Sequence, residues 1–172
     1  MKLSEKLNKI INESLDLLEL PKEIIADFVV QFGIGDLWAA YCTSDRFEEF
    51  LKPYNSFRIE FDQFYENNEE AVDNFLLEVP EYQKVFIEKA KKEGTIFNAY
   101  VEGMIWYELE QKGFVDEEGH IDPDLTPYDI LSDSKFQVTD TRTNEKSEKF
   151  KTRDEALAEC KRLNKEYILQ KL

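Results

Sequence analysis

The residues able to act as nucleophiles, bases or metal ligands are few and widely spaced in this chain of 172 residues. His120 is the single histidine and stands in an acidic turn, so neither a serine nor a cysteine has a well-placed base. Cys42 and Cys160 are far apart and match no zinc or redox spacing, which predicts two buried free thiols in the reducing cytoplasm. Walker, nucleophile-elbow, HExxH and CxxC motifs are absent, so we expect no catalytic residues and no cofactor.

Carboxylates are the abundant chemical group. The chain has 37 acidic residues against 22 basic ones, a formal net charge of −15. Such a surface repels DNA, RNA and anionic membranes and favours basic proteins as partners. Acidic residues interleaved with aromatic ones are concentrated in residues 44–81 and 102–133. From these segments we select the following candidate partner-binding residues: Glu48, Glu49, Glu66, Glu69, Glu70, Asp73, Asp116, Glu117 and Glu118.

The acidic turn near His120 is not a calcium loop of the EF-hand type. Aligning Gly119 with the glycine of that loop places Phe114 and Leu125 at the first and last ligand positions, where carboxylates are required. We therefore expect no metal site, and interpret the turn as a solvated acidic surface.

A central helix over about 95–112 organises the predicted fold. Apolar residues cover most of its circumference, which is typical of a helix buried on several sides. Thr95 is predicted to cap its first turn through the side-chain hydroxyl, and Gly113 to end it in the left-handed region. Its acidic positions are expected to face water: Glu102, Glu108 and Glu110.

The sequence KGFV at 112–115, followed by an acidic turn, resembles the end of the recognition helix and the wing of winged-helix domains. That resemblance implies a short hairpin near 114–121. It does not imply DNA binding here, because the preceding helix carries carboxylates where a DNA-reading helix needs basic residues.

Further helices are predicted on both sides of the central one. Residues 3–20 show helical apolar spacing, and Pro21 ends that helix and begins the next. The segment 56–65 fits a strand or a helix, and its helical neighbours favour a helix. The remaining predicted helices are 37–42, 45–52 capped by Ser44 and closed by Pro53, 68–79, and 81–92.

The last 38 residues have the pattern of a ββα unit. Two strand-like runs, 135–141 and 147–151, are joined by a turn around Arg142–Lys146, in which Asn144 tolerates the left-handed region. Thr152 and Glu155 form the S/T-x-x-E capping box of a final helix. The apolar face of that helix is predicted to comprise Ala156, Leu157, Cys160, Leu163 and Tyr167.

These patterns predict an α+β, mostly α fold, with an acidic helical body at 1–134 and a ββα appendage at 135–172. The expected function is non-enzymatic: a protein-binding protein or inhibitor that presents carboxylates to a basic partner. The natural partner is a nucleic-acid-processing enzyme, by analogy of charge and size with anti-restriction and anti-CRISPR inhibitors that mimic nucleic acid. Two alternatives are a structural or regulatory subunit docking through the ββα unit, by the basic positions Lys161, Arg162 and Lys165, and a small enzyme with a carboxylate-only site.

Overall fold

The computed structural model describes residues 17–32, 45–78, 84–116, 118, 120–130 and 136–172, without the side chains of 84–86. The protein is mostly helical with a small antiparallel sheet near its C-terminus, which confirms the predicted fold class. Its helices are α1 (Lys22–Phe32), α2 (Asp45–Leu51), α3 (Asn55–Leu77), α4 (Lys84–Glu93), α5 (Ile96–Gln111) and α6 (Arg153–Lys171). The strands are β1 (Tyr128–Asp129), β2 (Thr139–Asp140) and β3 (Glu145–Lys146), in the order β1-β2-β3.

Helix α5 is the predicted central helix, and nearly all of its residues are buried. Gly94 and Gly113 end α4 and α5 in the left-handed region, with φ of 73° and 76°. In both places the backbone N–H of the glycine and that of the following residue donate to carbonyls of the preceding helix, which is the arrangement of a Schellman motif. The predicted hydroxyl cap of Thr95 is wrong: its side chain donates to the carbonyl of Ala90 and makes no cap to α5.

Aromatic rings fill the space between α5 and its neighbours. Tyr100 lies 4.8 Å from Phe61 and 5.6 Å from Phe75 between ring centroids, and both phenylalanines come from α3. On the α1 side Phe28 meets Trp106 edge-on at 6.4 Å. The Tyr100 hydroxyl donates to the carbonyl of Leu18 at 2.6 Å, so the chain before α1 is fastened to α5 as well.

One acidic residue of α5 is placed differently from the prediction. Glu102 is fully buried instead of facing water, and Asn98 one turn earlier is buried too. The sequence pattern could not show that Glu102 is buried, because its burial depends on the other helices that surround α5 and cover its polar positions along with its apolar ones. Glu108 and Glu110 are half-buried.

Helix α3 joins two segments that the sequence separated. Residues 56–65 are helical, as predicted, and lead through a kink into the predicted helix at 68–79, which ends at Leu77. The join is a kink at Asn68, whose φ and ψ of −135° and 27° are not helical. Its side-chain amide donates to the carbonyl of Phe64 at 2.8 Å, so it competes with the backbone for that acceptor and bends the helix without ending it.

Some of the other predicted helix boundaries are confirmed, and others are corrected. Helix α1 begins just after Pro21, as predicted, but 17–20 is not helical, so the predicted helix at 3–20 is wrong at its end. Helix α2 ends at Leu51, two residues before Pro53. Pro53 itself lies in a 3-10 turn, Lys52–Tyr54, that links α2 to α3. The predicted helix at 37–42, the Ser44 cap and the rest of 3–20 fall outside the described residues.

The C-terminal unit has the predicted order of two strands and a final helix, but the predicted strand at 147–151 is wrong, because those residues are not a strand. Asn144 has a φ of 63° as predicted, but the turn is 141–144, and β3 lies wholly inside the segment assigned to the turn. The Thr152 hydroxyl caps α6 as predicted, since it accepts from the backbone N–H of Glu155 at 3.1 Å, while the Glu155 carboxylate accepts from the backbone N–H of Lys151 at 3.0 Å. Strand β1 was not predicted, because it has two residues and lies in a proline-rich stretch.

A buried asparagine attaches β1 to α6. The amide of Asn164 accepts from the backbone N–H of Tyr128 at 2.9 Å and donates to its carbonyl at 3.0 Å. The Cys160 thiol donates to the same carbonyl at 3.1 Å. The buried residues of α6 are Ala156, Cys160, Asn164 and Ile168, so the predicted apolar face misses Asn164 and Ile168, and Leu157, Leu163 and Tyr167 are only partly buried.

The ββα unit is in contact with the helical body. Helix α6 packs along α1, where the Lys165 ammonium lies 2.9 Å from the Asp27 carboxylate. Ile168 belongs to the same buried cluster as the core of α5. The predicted hairpin near 114–121 is present as one antiparallel bridge between Val115 and Ile121. The division at residue 134 stays a prediction, with β1 and the α1–α6 contact crossing it.

We predict that Asn164→Ala lowers the free energy of unfolding by about 1–3 kcal/mol, because it leaves the backbone N–H of Tyr128 without its partner and the carbonyl of Tyr128 with only the Cys160 thiol. Urea denaturation followed by circular dichroism measures this. The matched control is Gln170→Ala, an exposed position of the same helix, which is expected to change stability by less than about 0.5 kcal/mol. Equal effects of the two substitutions would show that the amide does not hold β1.

Candidate partner-binding surface

The outward side of α3 carries the most prominent free carboxylates. Six acidic residues and one basic residue, Arg58, are found in this helix. Asp62, Glu66 and Glu70 are exposed and recur every four residues, with the kink at Asn68 between the second and the third. Within the described part of the chain none of the three has an ion-pair partner. We call these three residues the α3 acidic stripe.

Two predicted site residues on the same helix are engaged in an internal ion pair. The Lys91 ammonium of α4 lies 2.9 Å from the Glu69 carboxylate and contacts the Asp73 carboxylate more closely still. Asp73 also accepts from the Tyr65 hydroxyl at 3.3 Å. Glu69 and Asp73 therefore fasten α4 to α3, and the positive charge of Lys91 offsets one of their two negative charges.

The pair predicted on α2 is engaged too. Glu48 accepts from the Asn98 amide at 2.6 Å and lies 3.7 Å from the Arg58 guanidinium, so it connects α2 to α5 and α3. Glu49 is exposed and lies 2.5 Å from the Lys52 ammonium, one turn away. An exposed pair of this kind contributes little to stability and is easily exchanged for another cation.

The turn after α5 holds the remaining predicted residues. Asp116 caps it, accepting from the backbone N–H groups of Glu118 and His120 at 2.9 Å each. Those hydrogen bonds hold the pKa of Asp116 below its usual value, and His120 adds to this effect. Glu118 is exposed, with its carboxylate 3.6 Å from the His120 ring, and Glu117 lies outside the described residues.

The structure does not bring these groups into one surface. The contacts of α3 with α5 involve Phe97 and Tyr100, at the beginning of α5. The turn at Asp116 follows the other end of α5, roughly 16 Å farther along its axis at 1.5 Å per residue. The acidic residues of α3 and those of the turn are thus two separate patches.

The basic positions of α6 are mostly used internally. Arg162 is paired with Glu159 and with Glu166, the latter at 2.6 Å, on its own helix. Lys165 is paired with Asp27 of α1. Lys161 is exposed.

Glu108 is a half-buried carboxylate of α5 whose pKa lies above its usual value. Burial raises its pKa, the charge of Glu19 raises it further, and Lys112 and Lys22 lower it. Among the described residues, no group of three or more His, Cys, Asp or Glu side chains is arranged to hold a metal ion. No described helix combines the length and the apolar character that crossing a membrane requires.

Comparisons with protein-family models, with curated proteins and with solved structures return no match to this chain.

Sequence reasoning selected Glu66 and Glu70 but missed Asp62. The signal was available: Asp62, Glu66 and Glu70 follow the spacing of one helix face. It was overlooked because 56–65 was ambiguous between strand and helix, so Asp62 was not assigned to the same helix as Glu66 and Glu70. Pairing by Lys91 could not be read from the sequence, since Lys91 is 18 positions from Asp73.

The cluster of Tyr65, Asp73, Glu69 and Lys91 predicts a loss of stability at alkaline pH. Burial raises the pKa of Tyr65 to about 12, and Asp73 adds to that effect. Burial lowers the pKa of Lys91, but its hydrogen bonds to Asp73 and Glu69 outweigh this and hold the pKa above its usual value. Both groups thus retain their protons more strongly in the folded protein than in the unfolded chain, where their pKa values are about 10.

Their contribution to stability is complete below about pH 10 and is lost as pH rises through the folded-state values. We expect the free energy of unfolding to fall above about pH 10, and to fall less steeply in Tyr65→Phe, when measured by urea denaturation between about pH 8 and 12. Tyr100, whose pKa burial also raises, remains in that variant, so part of the fall persists. Identical slopes for the two proteins would contradict the role given to Tyr65.

Proposed function

We propose that this protein is a non-enzymatic binding protein or inhibitor that engages a basic protein partner through the α3 acidic stripe. The observation that carries the proposal is the contrast within one helix. Glu69 and Asp73 are paired with Lys91, whereas Asp62, Glu66 and Glu70 are exposed and have no ion-pair partner among the described residues. The paired acids fasten two helices together, and the exposed ones are available to a partner protein.

The partner that fits the stripe is a positively charged surface. Asp62 and Glu66 are about 6 Å apart along the helix axis, and Glu70 follows just after the kink, so the three carboxylates concentrate negative charge on the exposed side of α3. The net charge of −15 extends the attraction beyond the contact and speeds association at low salt. A surface that normally receives phosphates, such as the cleft of a nucleic-acid-processing enzyme, has the required charge, and occupancy by these carboxylates would exclude nucleic acid from it.

The cellular compartment is also part of the proposal. Cys160 is a free, buried thiol, and free thiols are typical of proteins kept in a reducing environment. We place the protein in the cytoplasm on that basis.

Docking through the ββα unit is the weaker alternative, because Arg162 and Lys165 are already paired with carboxylates of this chain. A carboxylate-only enzyme has its best candidate in Glu108, which lies near Glu19. Substituting Glu108 by Gln therefore serves as an independent check: under our proposal, partner capture is unchanged.

The test compares capture of proteins from host lysate by three baits. In the first variant, Asp62, Glu66 and Glu70 are all replaced by Lys; in the matched control, the exposed Glu88, Glu145 and Glu148 are replaced by Lys. Both triple variants change the formal net charge by the same amount. We expect the wild type and the control to retain the same basic proteins, and the stripe variant to lose them at least about tenfold, by quantitative mass spectrometry.

Circular dichroism and thermal melting establish that each bait is folded. Added duplex DNA is expected to displace the captured proteins if their nucleic-acid surface is the one engaged. The proposal is overturned if the stripe variant captures the same proteins as the wild type, or if the two triple variants lose them equally, since the second result would make net charge the only determinant.

A further inference from the structure

Helix α3 is folded back on itself at Asn68. Phe61 and Phe75 contact one ring, that of Tyr100, at 4.8 Å and 5.6 Å between centroids. In a straight helix their Cα atoms would be about 21 Å apart along the axis. Because long helical side chains lean towards the N-terminus, both rings would lean the same way and could not reach the same partner. The two halves of the helix therefore meet at a sharp angle.

A second contact crosses the bend on its polar side. The Tyr65 hydroxyl donates to the Asp73 carboxylate at 3.3 Å, although in a straight helix these residues would be about 12 Å apart along the axis. The Lys91 ammonium of α4 contacts the same Asp73 carboxylate and lies 2.9 Å from that of Glu69. We call Tyr65, Asp73 and Lys91 the latch, because they join the two halves of α3 to each other and to α4.

The bend divides α3 into a first arm, 55–67, and a second arm, 69–77. Helix formation is cooperative, because each turn is held by hydrogen bonds to the turn before it. At Asn68 that continuity is interrupted, since its backbone is not helical and its side-chain amide donates to the carbonyl of Phe64. The second arm is also too short to persist as a helix away from the body. Its folded state therefore depends on tertiary contacts, and it can open while the first arm stays in place.

The second arm is held by apolar contacts on one side and by the latch on the other. Val72, Phe75 and Leu76 are fully buried in the core. The side chains of Lys91 and Asp73 are 32% and 24% exposed, so water already reaches the polar side while the arm is closed. Loss of the latch is therefore the step that begins opening.

We infer that the second arm is a lid over the aromatic core, closed by the latch, and that it opens locally while the rest of the protein stays folded. Opening withdraws Phe75 from Tyr100 and brings an apolar surface of the core to solvent. The lid does not depend on the proposed function, because the contacts that close it do not involve the α3 acidic stripe.

Amide hydrogen exchange, followed residue by residue by NMR, measures local opening. In the wild type we expect the amides of 72–77 to be protected at least about tenfold less than those of 59–66. Lys91→Met removes the cation and leaves two carboxylates close together. We expect it to raise the exchange of 72–77 by about a further tenfold, and that of 59–66 by less than about threefold. Tyr65→Phe removes only the hydrogen bond across the bend, so we expect a rise of about threefold in 72–77.

The matched control is Lys89→Met, two residues earlier on α4. Lys89 is exposed and lies 3.8 Å from the carboxylate of Glu93 on its own helix, so we expect its loss to change the exchange of 72–77 by less than about twofold. Circular dichroism and thermal melting verify that each variant is folded.

Equal protection of the two arms in the wild type overturns the inference, because α3 would then open as one unit. The inference is also overturned if Lys91→Met leaves the exchange of 72–77 unchanged, or raises that of both arms equally, since an equal rise would mean a general loss of stability. If Lys91→Met does not fold, the wild-type comparison and Tyr65→Phe decide the question. All these results leave the proposed function standing, which partner capture tests separately.

Discussion

Burial of α5 on all sides is the constraint on which the rest of the structure depends. A helix whose apolar residues surround its whole circumference needs neighbours in every direction, and α1, α3 and α4 supply them. Tyr100 shows how closely the parts are joined, because it contacts Phe61 and Phe75 of α3 and donates to Leu18. Because the surrounding helices all pack against α5, the side that each of them presents to solvent is fixed.

That constraint determines the distribution of charge. Of the surrounding helices, α1 and α3 turn aromatic residues such as Phe28 and Phe61 towards α5, and acidic residues such as Glu23 and Glu66 are left on the outside. Where two of these helices meet, the carboxylates need cations, and Lys91 provides one between α3 and α4. Where α3 faces water, as at Glu66, the described residues supply no cation. The division between structural and available acids therefore follows from which residues lie at a helix–helix boundary.

The features that the sequence predicted correctly are those governed by local rules. The limits of α5, the left-handed Asn144 and the Thr152 capping box depend on residues within one or two turns. The features it missed depend on distant partners. Asn164 binds the backbone of Tyr128, 36 positions away, and Glu102 is buried by helices that are distant from it in the sequence. A polar residue within an apolar pattern reads as solvent-facing until the surrounding helices are placed.

The same reasoning explains why only part of the candidate site was within reach of the sequence. Nine acids were selected by density, and density does not distinguish a carboxylate that caps a turn, such as Asp116, from one that is free, such as Glu66. Pairing with Lys91 occupies Glu69 and Asp73, so the exposed acids of α3 that have no ion-pair partner among the described residues are fewer than the sequence suggested. Charge alone attracts every basic protein, so selection of one partner requires contacts in addition to these carboxylates.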